Sequence, residues 1–318
     1  MTSAALYDPA HDLGAEQIRA QIAWLEREGP IPDPRTDIDT ASLTARFPRL
    51  RHVWTTPLIV PSPDAELRAR VYHPVANGRG VGLVWIHGGG WIGGDIDRPE
   101  AHWVSLELAA RGVAVVSLGY RKALHGVRAP QLEDDVLRGW HAGRDALRGL
   151  GISAEAVHLG GASAGAALSA GLSLRLRDDD NPAPASVILV YPLVHRELPP
   201  VTAEVAGSVR GLPTERVISP GAVSAYTANV LGGDAAARYL LPGDVPPLDG
   251  QSPILIIAAE RDLLRGSSDR YAEQLRDAGV AVVSEVTANV VHGYLDDPGL
   301  PEASSSIDRM VRWMADRT

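Results

Sequence analysis

The chain has 318 residues, 45% hydrophobic and 22% charged, with a formal net charge of −9. This is enough for one large domain with a buried core, and the acidic balance without a basic cluster argues against nucleic acid or an anionic membrane as partner. It has no cysteine, which excludes disulfides, thiolate nucleophiles and Cys-based metal sites. The N-terminal stretch lacks a basic segment followed by an apolar run, and no stretch reaches the roughly 20 apolar residues of a membrane span. A soluble cytoplasmic protein is expected.

Residues 15–28 carry Ile18, Ile22 and Leu25 on one side of a helix, which Gly29-Pro30 ends. A proline-broken segment runs on to Pro34, and Ile38 to Phe47 suggests a second short helix. The apolar stripe of this N-terminal part must cover something. Val53–Val60 and Glu66–His73 read as a half-exposed antiparallel strand pair, followed by a turn at Asn77-Gly78. Beyond it the apolar runs become continuous, at 82–86, 113–116, 187–190 and 253–259. They alternate with helical stretches at about 98–111, 131–148, 164–177, 266–278 and 303–317. This alternation predicts a mostly parallel sheet with helices on both faces. Residues 195–249, rich in Pro and Gly with one helix around 219–231, break the rhythm and read as an insertion at the mouth of the sheet.

Gly161-Ala162-Ser163-Ala164-Gly165 lies between the short strand-like run 156–159 and a helix with Leu168, Leu172 and Leu176 on one face. Small residues on either side of Ser163 suit a sharp strand-to-helix turn that lifts the hydroxyl clear of the sheet at a helix N-terminus. A serine hydroxyl needs a base to take its proton, a carboxylate to orient the base, and N–H donors for the oxyanion. Of ten histidines, His195 and His292 follow Ser163, and His292 alone follows the last apolar strand, in a loop between the strand-like Val280–Val286 and the final helix. The acid should follow the 253–259 strand. Asp262 is favoured, with Glu260 the rival and Asp269 placed on the next helix. His87-Gly88-Gly89-Gly90-Trp91 follows the 82–86 strand, and three successive glycines can turn N–H groups toward one point.

The His87–Trp91 motif, Gly161–Gly165, Asp262-Leu263-Leu264-Arg265 and His292-Gly293-Tyr294, in that order and at those separations, resemble the bacterial hormone-sensitive-lipase-like family of α/β-hydrolases. The likeness spans about 80–315 and extends to Tyr120-Arg121 and Glu133-Asp134. It implies an α/β-hydrolase fold, with a mostly parallel eight-stranded sheet in a catalytic domain of 51–318 and a helical cap made from 1–50 and the 195–249 insertion, and hydrolysis of carboxylic esters of short to medium acyl chains. Carried over residue by residue, Ser163 is the nucleophile, Asp262 the orienting acid and His292 the base. The amides of Gly88, Gly89 and Ala164 form the oxyanion hole, and His87 holds the glycine loop by hydrogen bonding. Three departures stand out. Residue 162 is Ala where the family carries an acid, Lys122-Ala123-Leu124-His125-Gly126 replaces the family's Leu-Ala-Pro-Glu-like run, and 195–249 matches poorly.

Trp91, Tyr191 and Tyr294 flank the motifs and are expected to line the substrate pocket, with Trp24 closing it from above. Neither a cofactor nor a metal is expected, since the remaining histidines show no ligand spacing. The partners expected are a small-molecule ester and, from the resemblance and an exposed final helix, a second copy in a homodimer. Two alternatives stay open: amide, carbamate or lactone hydrolysis on the same triad, and a non-catalytic module that binds small molecules.

Overall fold

The computed structural model describes residues 7–29, 40–75, 78–233 and 237–318. The proline-rich segment after Gly29, the start of the expected second helix and Asn77 lie outside the described residues.

Eight strands form one sheet: β1 (Thr55–Ser62), β2 (Ala65–Tyr72), β3 (Val81–Ile86), β4 (Val113–Leu118), β5 (Val157–Ala162), β6 (Val187–Val190), β7 (Ile254–Arg261) and β8 (Val282–Val291). Their order is β1-β2-β4-β3-β5-β6-β7-β8. β2 runs antiparallel to both its neighbours, and from β4 to β8 every pairing is parallel. The continuous apolar runs are the strands buried on both faces: every residue of β3, β4, β5 and β6 is buried. Alternate side chains feed two cores. Val84, Ile86 and Leu159 point into one, Leu83, Trp85 and Val115 into the other, as the period of two requires.

The helices divide between those faces. α4 (Ala129–Gly149), α5 (Ala164–Asp178) and α8 (Arg265–Asp277) contribute Trp140, Leu168 and Tyr271 to the first core. α3 (Pro99–Ala110) and α9 (Pro301–Ala315) contribute Trp103 and Met310 to the second. The amphipathic N-terminal helix is α1 (Gly14–Glu28), followed by α2 (Thr40–Arg46), where Leu43 is buried. The 195–249 stretch holds α6 (Ala203–Ser208) and α7 (Pro220–Leu231). α1 packs on α7. Asp12 fixes its start: one carboxylate oxygen accepts the Ser219 hydroxyl at 2.6 Å and the other the Gly221 N–H at 2.8 Å. Near its end, Glu26 accepts the backbone N–H of His125 at 2.8 Å and lies 3.0 Å from that ring. Among the described residues no helix is long and apolar enough to cross a membrane.

Candidate active site

The site lies at the C-terminal ends of β3, β5, β7 and β8. Ser163 occupies the one-residue turn between β5 and α5, with φ 53° and ψ −119°. A non-glycine residue at positive φ carries strain, and the surroundings enforce it. The Ser163 N–H donates to the Val190 carbonyl at 2.9 Å, and its own carbonyl accepts the Ala167 N–H at 3.1 Å. A Cβ at Gly165 would strike the carbonyls of Ile86 and His87, and one at Gly161 would meet those of Gly165 and Ile86. Both glycines are thus required by close approach.

Ser163 Oγ lies 2.9 Å from Nε2 of His292. Nδ1 of His292 lies 2.7 Å from Oδ2 of Asp262. A carboxylate only accepts, so Nδ1 carries the ring proton. Nε2 then offers its lone pair, and the Ser163 hydroxyl donates to it. The other Asp262 oxygen accepts the Leu264 N–H at 3.0 Å, and Asp262 is 2% exposed. Burial pushes the His292 pKa down, but the charge and hydrogen bond of Asp262, with Glu100 behind them, outweigh it. The net direction is upward from the ordinary histidine value. The two other acids considered have different partners. Glu260 accepts the backbone N–H of Asn289 at 2.6 Å, where β8 bulges. Asp269 lies 3.4 Å from Arg265 on α8.

β8 runs to Val291, five residues past the strand end expected at Val286, and so delivers His292 directly at its tip. Arg98 then fixes the turn that follows. Its Nε donates to both oxygens of Asp296, at 3.0 and 2.9 Å, with Nη2 closing the fork. Asp296 also accepts the Glu100 N–H at 3.2 Å, joining that turn to the start of α3.

The glycine loop differs from expectation in one donor. The Gly88 N–H is already committed: it donates to the buried carboxylate of Glu100 through a short hydrogen bond. Gly88 therefore cannot serve an oxyanion. The N–H groups of Gly89, Gly90 and Ala164 meet no acceptor among the described residues. Gly89 has φ 114° and Gly90 φ 61°, and a Cβ on Gly90 would enter the ring of Tyr226 on α7. Three residues brace the loop from behind. His87 Nδ1 lies 2.6 Å from the Gly88 carbonyl oxygen. The Tyr120 hydroxyl donates to the carbonyls of His87 and Gly88 at 3.1 and 3.3 Å. Lys122 approaches His87 from the far side at 3.0 Å.

The expected aromatic lining is also corrected. Trp91 (0% exposed), Tyr191 (1%) and Tyr294 (3%) are core residues. The φ of 62° at Trp91 turns its ring inward among the residues of the first core. Tyr191 lies beneath the site, edge-on to the His292 ring at 4.8 Å, its hydroxyl donating to Glu100 at 3.1 Å. The Tyr294 hydroxyl is engaged with Ser306 at 2.7 Å. Trp24 on α1 is partly buried against the first core. Sequence reading missed Glu100, Arg98, Asp296 and Tyr226. Glu100 and Arg98 sit only a turn or two past the glycine motif, but nothing in their spacing marks them. Tyr226 belongs to the stretch with the weakest pattern. Arg121 forks onto Asp135, and Glu133 accepts the N–H groups of Tyr239 and Leu240, tying α4 to the end of the 195–249 segment.

A family model described as the alpha/beta hydrolase fold matches residues 83–296, and the chain belongs to that family. The carboxylic ester hydrolase LipN of Mycobacterium tuberculosis is 32% identical over 252 residues, 77% of this chain and 65% of LipN. The ethyl acetate hydrolase of Pseudomonas putida is 29% identical over 293 residues, 90% of this chain and 85% of that enzyme. The crystal structure of the esterase LipW from Mycobacterium marinum has the same fold, with a TM-score of 0.73 at 23% identity over 96% of this chain and 91% of LipW. Curated relatives it matches are named as ester hydrolases and esterases, and one structural neighbour is an esterase of the bacterial hormone-sensitive lipase family.

Proposed function

We propose that the chain hydrolyses small carboxylic esters of short to medium acyl chains through an acyl-enzyme on Ser163. The observation that carries this reading is the continuous hydrogen-bonded row Ser163–His292–Asp262 beside amides with no other acceptor. Ser163 Oγ attacks the ester carbonyl as its proton passes to Nε2 of His292. Asp262 holds the resulting imidazolium. The oxyanion is received by Gly89, Gly90 and Ala164, in place of the Gly88 donor expected from sequence. His292 then protonates the leaving alcohol, and water, activated by the same ring, releases the acid.

α1, α6 and α7 serve as the cap in this reading. Tyr226, which lies against Gly90, forms the wall nearest the reacting carbonyl, and Trp24 closes the chamber from α1. The homodimer and the cytoplasmic location expected from sequence are carried forward as parts of the same proposal.

The test is labelling by a fluorophosphonate probe together with a panel of p-nitrophenyl esters, anilides and lactones. The expected result is one adduct, mapped to Ser163, with turnover strongest on the short esters. A binding-only module takes up no label, and turnover confined to anilides or lactones replaces the ester assignment. The pH profile adds a second expectation. His292 acts as base when neutral, and its pKa is raised, so kcat/KM in the free enzyme should fall on the acid side with a midpoint above the ordinary histidine value of about 6.5. Measuring kcat/KM across a range of buffers at constant ionic strength and fitting the acid limb checks this; a midpoint below about 6.5 contradicts it.

A further inference from the structure

Lys122 stands directly behind the glycine loop, yet the reaction described above gives it no task. Its Nζ lies 3.0 Å from Nε2 of His87, 3.0 Å from the Tyr120 carbonyl oxygen and 4.0 Å from the centre of the Tyr120 ring. No carboxylate lies within ion-pairing distance of it among the described residues; Asp95 and Asp135 act on it from further away. A lysine placed against an imidazole instead of a carboxylate calls for an explanation.

The hydrogen-bond directions supply one. The Gly88 carbonyl oxygen, 2.6 Å from Nδ1 of His87, can only accept. Nδ1 therefore carries the ring proton, and Nε2 accepts from Lys122. Burial and the nearby cations Lys122 and Arg98 hold the His87 pKa well below the ordinary value, so the ring stays neutral in this tautomer. The result is a relay from Lys122 through His87 to the Gly88 oxygen. The Gly88 carbonyl and the Gly89 N–H share one planar trans peptide and point in opposite directions. Fixing the oxygen on His87 fixes where the Gly89 hydrogen points.

We propose that Lys122 is a positioning residue for ester hydrolysis: acting through His87, it holds the Gly88–Gly89 peptide so that the Gly89 N–H faces the oxyanion, and its charge strengthens that donor. This rests on the acyl-transfer reading given above. The charge is not permanent. Asp95 on the glycine loop and Asp135 on α4 favour the ammonium form, while burial and Arg98 oppose it; His87 and Tyr120, its other titratable neighbours, are uncharged. Burial dominates and brings the Lys122 pKa down to about 7. Activity should therefore rise on the acid side as His292 loses its proton and decline to a lower plateau on the alkaline side as Lys122 loses its own.

The experiment is steady-state hydrolysis of p-nitrophenyl acetate from about pH 6 to about pH 9 by the wild type, Lys122→Met and Lys122→Arg. In Lys122→Met, kcat should fall about tenfold with KM unchanged, and the alkaline decline should vanish. Lys122→Arg should recover most of kcat and show no decline, because a guanidinium keeps its charge. Wild-type kcat in Lys122→Met, or a joint change in kcat and KM with the alkaline decline intact, overturns the inference. Should Lys122→Met fail to fold, wild type against Lys122→Arg decides: a decline present in both, or absent from both, overturns it. Ser163→Ala separates the two levels. Turnover that survives in Ser163→Ala defeats the acyl-transfer reading, whereas Ser163-dependent turnover indifferent to residue 122 defeats the lysine assignment alone.

Discussion

Ser163→Ala should lower kcat for a p-nitrophenyl ester by about 10⁶-fold and abolish fluorophosphonate labelling. The chemistry explains the size of this effect. Without Oγ no acyl-enzyme forms, and what remains is water attack assisted by the oxyanion donors. The fold should be almost untouched. The positive φ at residue 163 is imposed by its neighbours, since the N–H to Val190 and the carbonyl to Ala167 are backbone bonds that alanine also makes. Alanine at that φ is strained to a similar degree as serine. A melting temperature close to wild type, with activity lost, is the signature; substantial residual turnover would reassign the nucleophile.

Asp262→Asn should cost about 10⁴-fold in kcat with little change in KM. An amide presents both an acceptor and a donor. In the wild type one oxygen accepts the Leu264 N–H and the other accepts from His292. Asparagine can keep its oxygen on Leu264 only by turning its NH₂ group toward the imidazole. Nδ1 must then accept, the ring proton moves to Nε2, and the ring can no longer take the Ser163 proton. The imidazolium also loses its counter-charge. Both losses act in the transition state, so the effect falls on kcat. Steady-state kinetics with one short ester would check it. A fall of less than about tenfold would shift the orienting role to another acid, and Glu260 is badly placed for it because its carboxylate is already on Asn289.

What could be read from the chain alone followed from order and crowding. Ser163 is marked by small neighbours, and the structure shows the carbonyl oxygens that exclude anything larger at 161 and 165. His292 is marked by its position after the last apolar strand. The continuous runs at 82–86 and 187–190 gave away strands covered on both faces. The misreadings share one physical cause: each depended on a partner distant in sequence. Three adjacent glycines look equivalent until Glu100 takes the N–H of Gly88. Trp91, Tyr191 and Tyr294 flank catalytic motifs, yet which way each ring points is set by backbone angles and by Glu100 and Ser306, not by proximity in the chain. β8 overran its expected end because an edge strand mixes exposed and half-buried positions, and Asn289 at φ 59° interrupts the alternation without ending the pairing. In the 195–249 segment the helix around 219–231 was legible and is α7, but the six-residue α6 was not, and the packing of the segment is supplied by α1 and α4.

The way α1 is fastened has a consequence for how selectivity can change. One end is tied by Asp12 to the beginning of α7, the helix that carries Tyr226, and the other by Glu26 to the stretch just after Lys122. In the function proposed above, a shift of this single clasp would be felt at once by the ceiling over the acyl chain and by the brace under the glycines. Room for a bulkier substrate and the aim of the amides would then be mechanically geared together, so that widening the chamber by loosening α1 would be paid in turnover, while trimming Tyr226 in place would leave the gearing intact.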